Sequence, residues 1–164
     1  MPIVMNNRQR MESVSTDLLE ERGETILSAL GVCDAEVVVT LVSDRKMTVL
    51  NRDFRGYRKT TDVLSFPIEQ EDLPPGCPPM LGDVIISTQK ARVQATARSK
   101  ERNGAGYSFL DELTFLMIHG ILHLVGFDHM NDEDAESMEM RELELFRNFG
   151  QIAPRAHHEG EEWN

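Results

Sequence analysis

The sequence predicts a single α+β domain with about four strands and five helices, and three observations carry that prediction. The chain has 164 residues, a size at which one domain builds its core without disulfides or a structural metal. Short β-branched runs alternate with longer stretches whose apolar residues recur at three- and four-residue steps, the signatures of strands and helices. No internal repeat divides the chain.

Taken in order, Ile3 to Asn6 reads as a weak strand. Ser15 or Thr16 caps a helix through Leu18, Leu19, Ile26, Leu27 and Leu30, which Gly31 stops. Glu36 to Val42 has the β-branched profile of a buried strand. Ser43 or Asp44 starts a second helix carrying Met47, Leu50 and Phe54, and Val63 to Phe66 is a strand ended by Pro67. Glu69 to Pro79 is proline-rich and reads as a loop with a stiff centre, since neither flank could fold alone. Gly82 to Ser87 is the fourth strand, and Thr88 opens a helix to about Glu101 that ends before Asn103-Gly104-Ala105-Gly106. Ser108 caps a long apolar helix through Leu113, Leu116 and Ile118 to Leu124, stopped near Gly126, and a last helix spans about Asp132 to Phe149. The domain is expected to cover residues 1–150, with 151–164 a disordered acidic tail of little apolar content.

Composition narrows the function classes. No window approaches the roughly 20 apolar residues of a membrane span, and the N-terminus lacks the charged and apolar runs of a signal peptide. Cys33 and Cys77 are too few for a disulfide framework and are expected to be reduced thiols of a cytoplasmic protein. The net charge of −11 opposes phosphate binding by the surface as a whole. Two segments run against it. Arg45, Lys46, Arg52, Arg55, Arg58 and Lys59 face Asp53 alone, and Lys90, Arg92, Arg98, Lys100 and Arg102 face Glu101 alone. Each is either the solvated side of a helix or part of a local phosphate-binding face.

The most informative run is His119-Gly120-Ile121-Leu122-His123-Leu124-Val125-Gly126-Phe127-Asp128-His129, which holds three of the five histidines. His119 and His123 are four residues apart, so on a helix both imidazoles leave the same face. Gly126 permits the positive φ that turns the chain back and brings His129 to the same point. Three imidazoles sharing one metal ion leave a coordination position open, the mark of a catalytic and not a structural site. Zinc is the default for such ligands, though nickel, copper or cobalt suit them too. His157 and His158 in the tail are incidental.

This spacing equals that of the metzincin protease motif HExxHxxGxxH, including the glycine before the third histidine, with one departure: Gly120 replaces the glutamate that serves those peptidases as general base. Proteolysis is therefore disfavoured. Asp128 either orients a ligand imidazole or handles a proton, or else only shapes the turn. Glu139, Glu142 and Glu144 on the last helix read as a solvated face. Arg55 by itself reads as a surface arginine at a helix end.

The run HGILHLVGFDH closely resembles the HGxLHLxGYDH signature of the YbeY family of bacterial rRNA maturation endoribonucleases, with Phe127 in place of the commoner tyrosine. Leu50-Asn51-Arg52-Asp53-Phe54-Arg55 is similar to that family's LNxxYR element. Thr61 to Pro67 is similar to TDVLSFP, Leu81 to Ser87 to LGDIxIS, and Met138-Glu139 also matches. The resemblance implies a mixed four-stranded sheet with helices around it and the metal in a cleft beside the sheet. It implies a single-strand-specific, metal-dependent endoribonuclease acting in small-subunit rRNA 3′-end maturation and ribosome quality control. The expected partners are single-stranded rRNA, the small ribosomal subunit and its assembly factors. It assigns one metal to His119, His123 and His129, and the family's functionally required arginine to Arg55. A metal-dependent hydrolase of another substrate and a non-enzymatic assembly factor are the competing readings.

Overall fold

The computed structural model describes residues 2–101 and 106–150. The expected acidic tail and most of the Asn103–Gly106 break lie outside these residues. Strands β1 (Ile3–Asn7), β2 (Glu36–Val42), β3 (Val63–Pro67) and β4 (Met80–Ser87) form one sheet in the order β1-β2-β4-β3. The first two neighbouring pairs are parallel and the β3–β4 pair is antiparallel, so the sheet is mixed. Five helices surround it: α1 (Thr16–Ala29), α2 (Asp44–Arg55), α3 (Thr88–Glu101), α4 (Phe109–Leu124) and α5 (Asp132–Phe146). Two details differ from the sequence reading. Strand β4 begins at Met80, because its first residues pair with β2 from Glu36 onward. The last α-helix ends at Phe146, and Arg147–Phe149 tightens into a 3₁₀ turn before Gly150 at φ 73°.

Alternation along the strands sorts the helices onto two faces. Val63 of β3 and Val84 and Ile86 of β4 join the main core with α1, α4 and α5. Leu64, Phe66 and Ile85, their out-of-phase neighbours, pack with Val42, Met47 and Leu50 under α2. Helices α2 and α4 thus lie on opposite sides of the sheet.

Helix α4 is the central element: every residue from Asp111 to Leu122 is buried. Its start is fixed by a capping box, in which Ser108 Oγ accepts from Asp111 N and Asp111 accepts from Ser108 N. Asp111 also pairs with Arg22 of α1 at 3.0 Å, and Glu112 with Arg98 of α3 at 2.8 Å. These buried pairs set the helix's position at one end.

At its middle, α4 touches the sheet at Gly120. A Cβ built there would lie 2.5 Å from Val84 Cγ1 and 3.2 Å from Ser65 Oγ. Ser65 Oγ donates to the Gly120 carbonyl at 3.0 Å, tying helix to strand. Glycine in a helix interior costs about 0.5–1 kcal/mol against alanine, yet here even alanine's methyl would force the stiff Val84 aside. Gly120→Ala is therefore expected to lower unfolding free energy by about 1–3 kcal/mol through overpacking. Urea denaturation checks this, and a variant as stable as the parent would contradict the close seat.

Candidate metal centre

The histidine cluster forms where α4 ends. His119 and His123 leave one face of the helix, and their Nε2 atoms lie 3.1 Å apart. Gly126 then adopts φ 104°, and Phe127 N reaches back to the Leu122 carbonyl at 3.0 Å, closing the helix end. This reversal brings the His129 ring to 5.3 Å from His123 and 6.1 Å from His119, centroid to centroid. One ligating atom from each of the three lies within 4.8 Å of the others.

That arrangement fits one ion. Nitrogens placed tetrahedrally at about 2.0–2.1 Å from a metal are separated by about 3.3 Å. The His119–His123 pair stands at that spacing already, and His129 needs only a small side-chain movement. A set of imidazoles without thiolate suits a first-row transition metal. The cluster also reaches solvent: the side chains of His129 and Asp128 are 22% and 47% exposed.

Behind the cluster lies a residue that the sequence reading put on a solvated face. Glu142 of α5 is 3% exposed, and its Oε2 lies 2.9 Å from His119 Nδ1, a hydrogen bond in which the carboxylate form accepts from the ring. Donation at Nδ1 leaves the lone pair of His119 on Nε2, directed into the cluster. Its neighbours Glu139 and Glu144 are exposed, as expected. The signal for Glu142 was positional: Met138, Leu145 and Phe146 are buried on the same helix, and position 142 falls on their stripe at helical spacing. Burial first, and the Glu139 charge second, push the Glu142 carboxyl up to about 8. A cation on the far side of the His119 ring opposes this shift and favours the carboxylate. Burial of the ring, followed by the charge of His129, holds His123 below the ordinary imidazole value of 6.5. Its nitrogen is thereby kept neutral and able to ligate.

Asp128 stands beside the third histidine. Its Oδ1 accepts from His129 N at 2.7 Å and lies 3.9 Å from His129 Nδ1. The carboxylate shapes the turn and sits near the ring, but beyond hydrogen-bond reach of it.

Arg55 is not on the same face as the histidines. It ends α2 across the sheet, where its guanidinium donates to Asn51 Oδ1 at 3.4 Å and lies 5.0 Å over the Tyr57 ring. Strand β3 links the two sides. Ser65 touches Gly120 of the metal helix, while the next residue, Phe66, meets Phe54 beside Arg55. Both Cys33 and Cys77 are free thiols.

Fold and cluster together define a class: small α+β proteins in which a helix and the turn after it bring together three imidazoles able to hold one metal. Within that class the assignment is specific, because the profile described as "Endoribonuclease YbeY" matches residues 4–150. The chain belongs to the endoribonuclease YbeY family. Endoribonuclease YbeY of Geobacter sulfurreducens is 38% identical over 148 residues, 89% of this chain and 94% of that protein. The Bacillus velezensis protein of the same name is 38% identical over 160 residues, 92% and 98% of the two chains. A solution structure of a Thermotoga maritima protein superposes with a TM-score of 0.54 at 28% identity, covering 90% of this chain and 91% of that one.

Glu142→Gln keeps the shape of the buried carboxyl and removes its ability to ionise when a cation binds His119. It is expected to weaken zinc affinity about 10- to 100-fold with little change in fold. Competition against a fluorescent chelator measures this, and an unchanged affinity would separate Glu142 from the metal centre.

Proposed function

We propose that this chain is a single-strand-specific metallo-endoribonuclease that acts in small-subunit rRNA 3′-end maturation and ribosome quality control. The observation that carries the reading is the convergence of three imidazoles on one point at the open end of a buried helix. Membership of a family whose relatives are named endoribonucleases supports the substrate class. His119, His123 and His129 are the residues we assign to one zinc ion. When bound, zinc supplies Lewis acidity towards a phosphoryl oxygen and acidifies water.

The chain's own residues have distinct tasks in this reading. Glu142 fixes the tautomer of His119 from behind. Arg55, across the sheet from the histidines, offers a planar fork to a phosphate of the bound strand and holds that strand for cleavage. Asp128 holds the His129 backbone with Oδ1, and its Oδ2 is the atom we assign to accepting a proton from the incoming nucleophile.

Peptide hydrolysis fits the site less well. The peptidase glutamate would have to stand at position 120, where a Cβ already collides with Val84. Expected partners are rRNA, the small ribosomal subunit and its assembly factors. A chain of net charge −11 gains from having its substrate presented by such partners. No helix among the described residues is long and apolar enough to cross a membrane, and a ribosomal substrate places the work in the cytoplasm.

Metal analysis and RNA cleavage on one preparation test the proposal. Purified protein should carry close to one metal per chain and cut single-stranded RNA. His123→Ala should lose both properties, and Arg55→Ala should keep the metal while losing cleavage. Cleavage that survives in the metal-free protein would refute the metal's role, and a fully active Arg55→Ala would remove that residue from the mechanism.

A further inference from the structure

The end of α2 presents two aromatic rings to solvent: Phe54 is 65% exposed and Tyr57 40% exposed. Phe54 belongs to the last turn of α2, whose buried residues are Met47 and Asn51, and Tyr57 follows just beyond the helix. Phe54 is held in place all the same. Its ring meets Phe66 of β3 at a centroid distance of 5.3 Å and an interplanar angle of 67°, a contact that anchors it and leaves most of it in water. Cations stand over the Tyr57 ring. The Arg55 guanidinium lies 5.0 Å and the Lys59 ammonium 5.7 Å from the Tyr57 centroid, while Arg58 and Arg52, the latter paired with Asp53 at 3.1 Å, are exposed nearby in the chain.

We propose that Phe54 is a stacking platform for one base of single-stranded RNA, with Tyr57 beside it and Arg52, Arg55, Arg58 and Lys59 holding the flanking phosphates. The proposal rests on the endoribonuclease reading and adds to it the surface that selects single strands. Rings interleaved with cations are the chemistry of single-stranded nucleic-acid binding, where the base contributes a π-face and the backbone a charge. A protein-docking patch would instead be depleted of charge at its centre.

Position supports the same occupant. Strand β3 is an edge of the sheet, and its successive residues face the two sites: Phe66 seats the Phe54 ring, and Ser65 hydrogen-bonds Gly120 on the helix that carries His119 and His123. A strand of RNA with a base on Phe54 can continue across this edge towards the face that carries the histidines. A duplex cannot do so, because its bases are stacked on one another.

Binding is measured by fluorescence anisotropy with a 2′-O-methyl single strand, which keeps bases and phosphates, and cleavage with the matching RNA. Phe54→Leu keeps apolar bulk without a π-face and should raise Kd about tenfold, whereas Phe54→Tyr should bind like the parent. Phe54→Tyr should leave the melting temperature alone and Phe54→Leu should lower it by only a few degrees, because the ring is mostly in solvent apart from its edge contact with Phe66. Neither should change the slope of log Kd against log salt, while Arg58→Ala should reduce it. A Phe54→Leu protein that binds as tightly as the parent overturns the platform and leaves the endoribonuclease reading standing. Parent protein that neither binds nor cleaves single-stranded RNA overturns that reading, and the platform with it. Duplex RNA bound with the same dependence on Phe54 overturns the platform as a selector of single strands.

Discussion

Helix α4 lies against the sheet at a point where a single added methyl group does not fit. The contact of Gly120 with Val84 and Ser65 fixes both the distance of the helix from the sheet and its rotation about its own axis. That rotation decides where His119 and His123 point, since they share the face next to the one that Gly120 presents to the strands. The same contact removes the position from which a peptidase-type glutamate would act. One close approach therefore positions the ligands and narrows the chemistry they can serve.

The cluster that results is polarised from behind. With Nδ1 of His119 committed to Glu142, its Nε2 has only a lone pair to offer, and a hydrogen bond across the 3.1 Å gap must come from His123. A metal ion takes the place of that bond only once the His123 proton leaves and both Nε2 atoms present a lone pair. A cation between the rings satisfies both, and gives the raised carboxyl of Glu142 a positive partner through the His119 imidazole. Metal binding and the buried glutamate therefore reinforce each other, and an ion bound only by the folded chain adds to its stability.

The cluster was legible in the sequence because it is local. His119 to His129 is a continuous segment, and helical periodicity with one positive-φ glycine suffices to fold it to a point. The strands, the five helices and the Ser108 cap were legible for the same reason. Glu142 was misread because residue type was given more weight than its place on the Met138, Leu145 and Phe146 stripe. The role of Gly120 could not be read, since its neighbours come from two strands remote in the chain. Nor does any local pattern reveal that α2 and α4 take opposite faces. The relation of Arg55 to the histidines, round the β3 edge, belongs to tertiary structure alone.

An acidic protein working on a polyanion must draw its affinity from short-range contacts. At a net charge of −11 the long-range field repels RNA, and a duplex, with the greater charge density, is repelled more strongly. Cations gathered between Arg45 and Lys59 offset this only within about a Debye length, near 8 Å at physiological ionic strength. Inside that range a base on an exposed ring adds an attraction that a paired base cannot supply. With the proposed platform, repulsion at a distance and stacking at contact act in the same direction, and a preference for single strands would follow from the two together without any reading of base sequence.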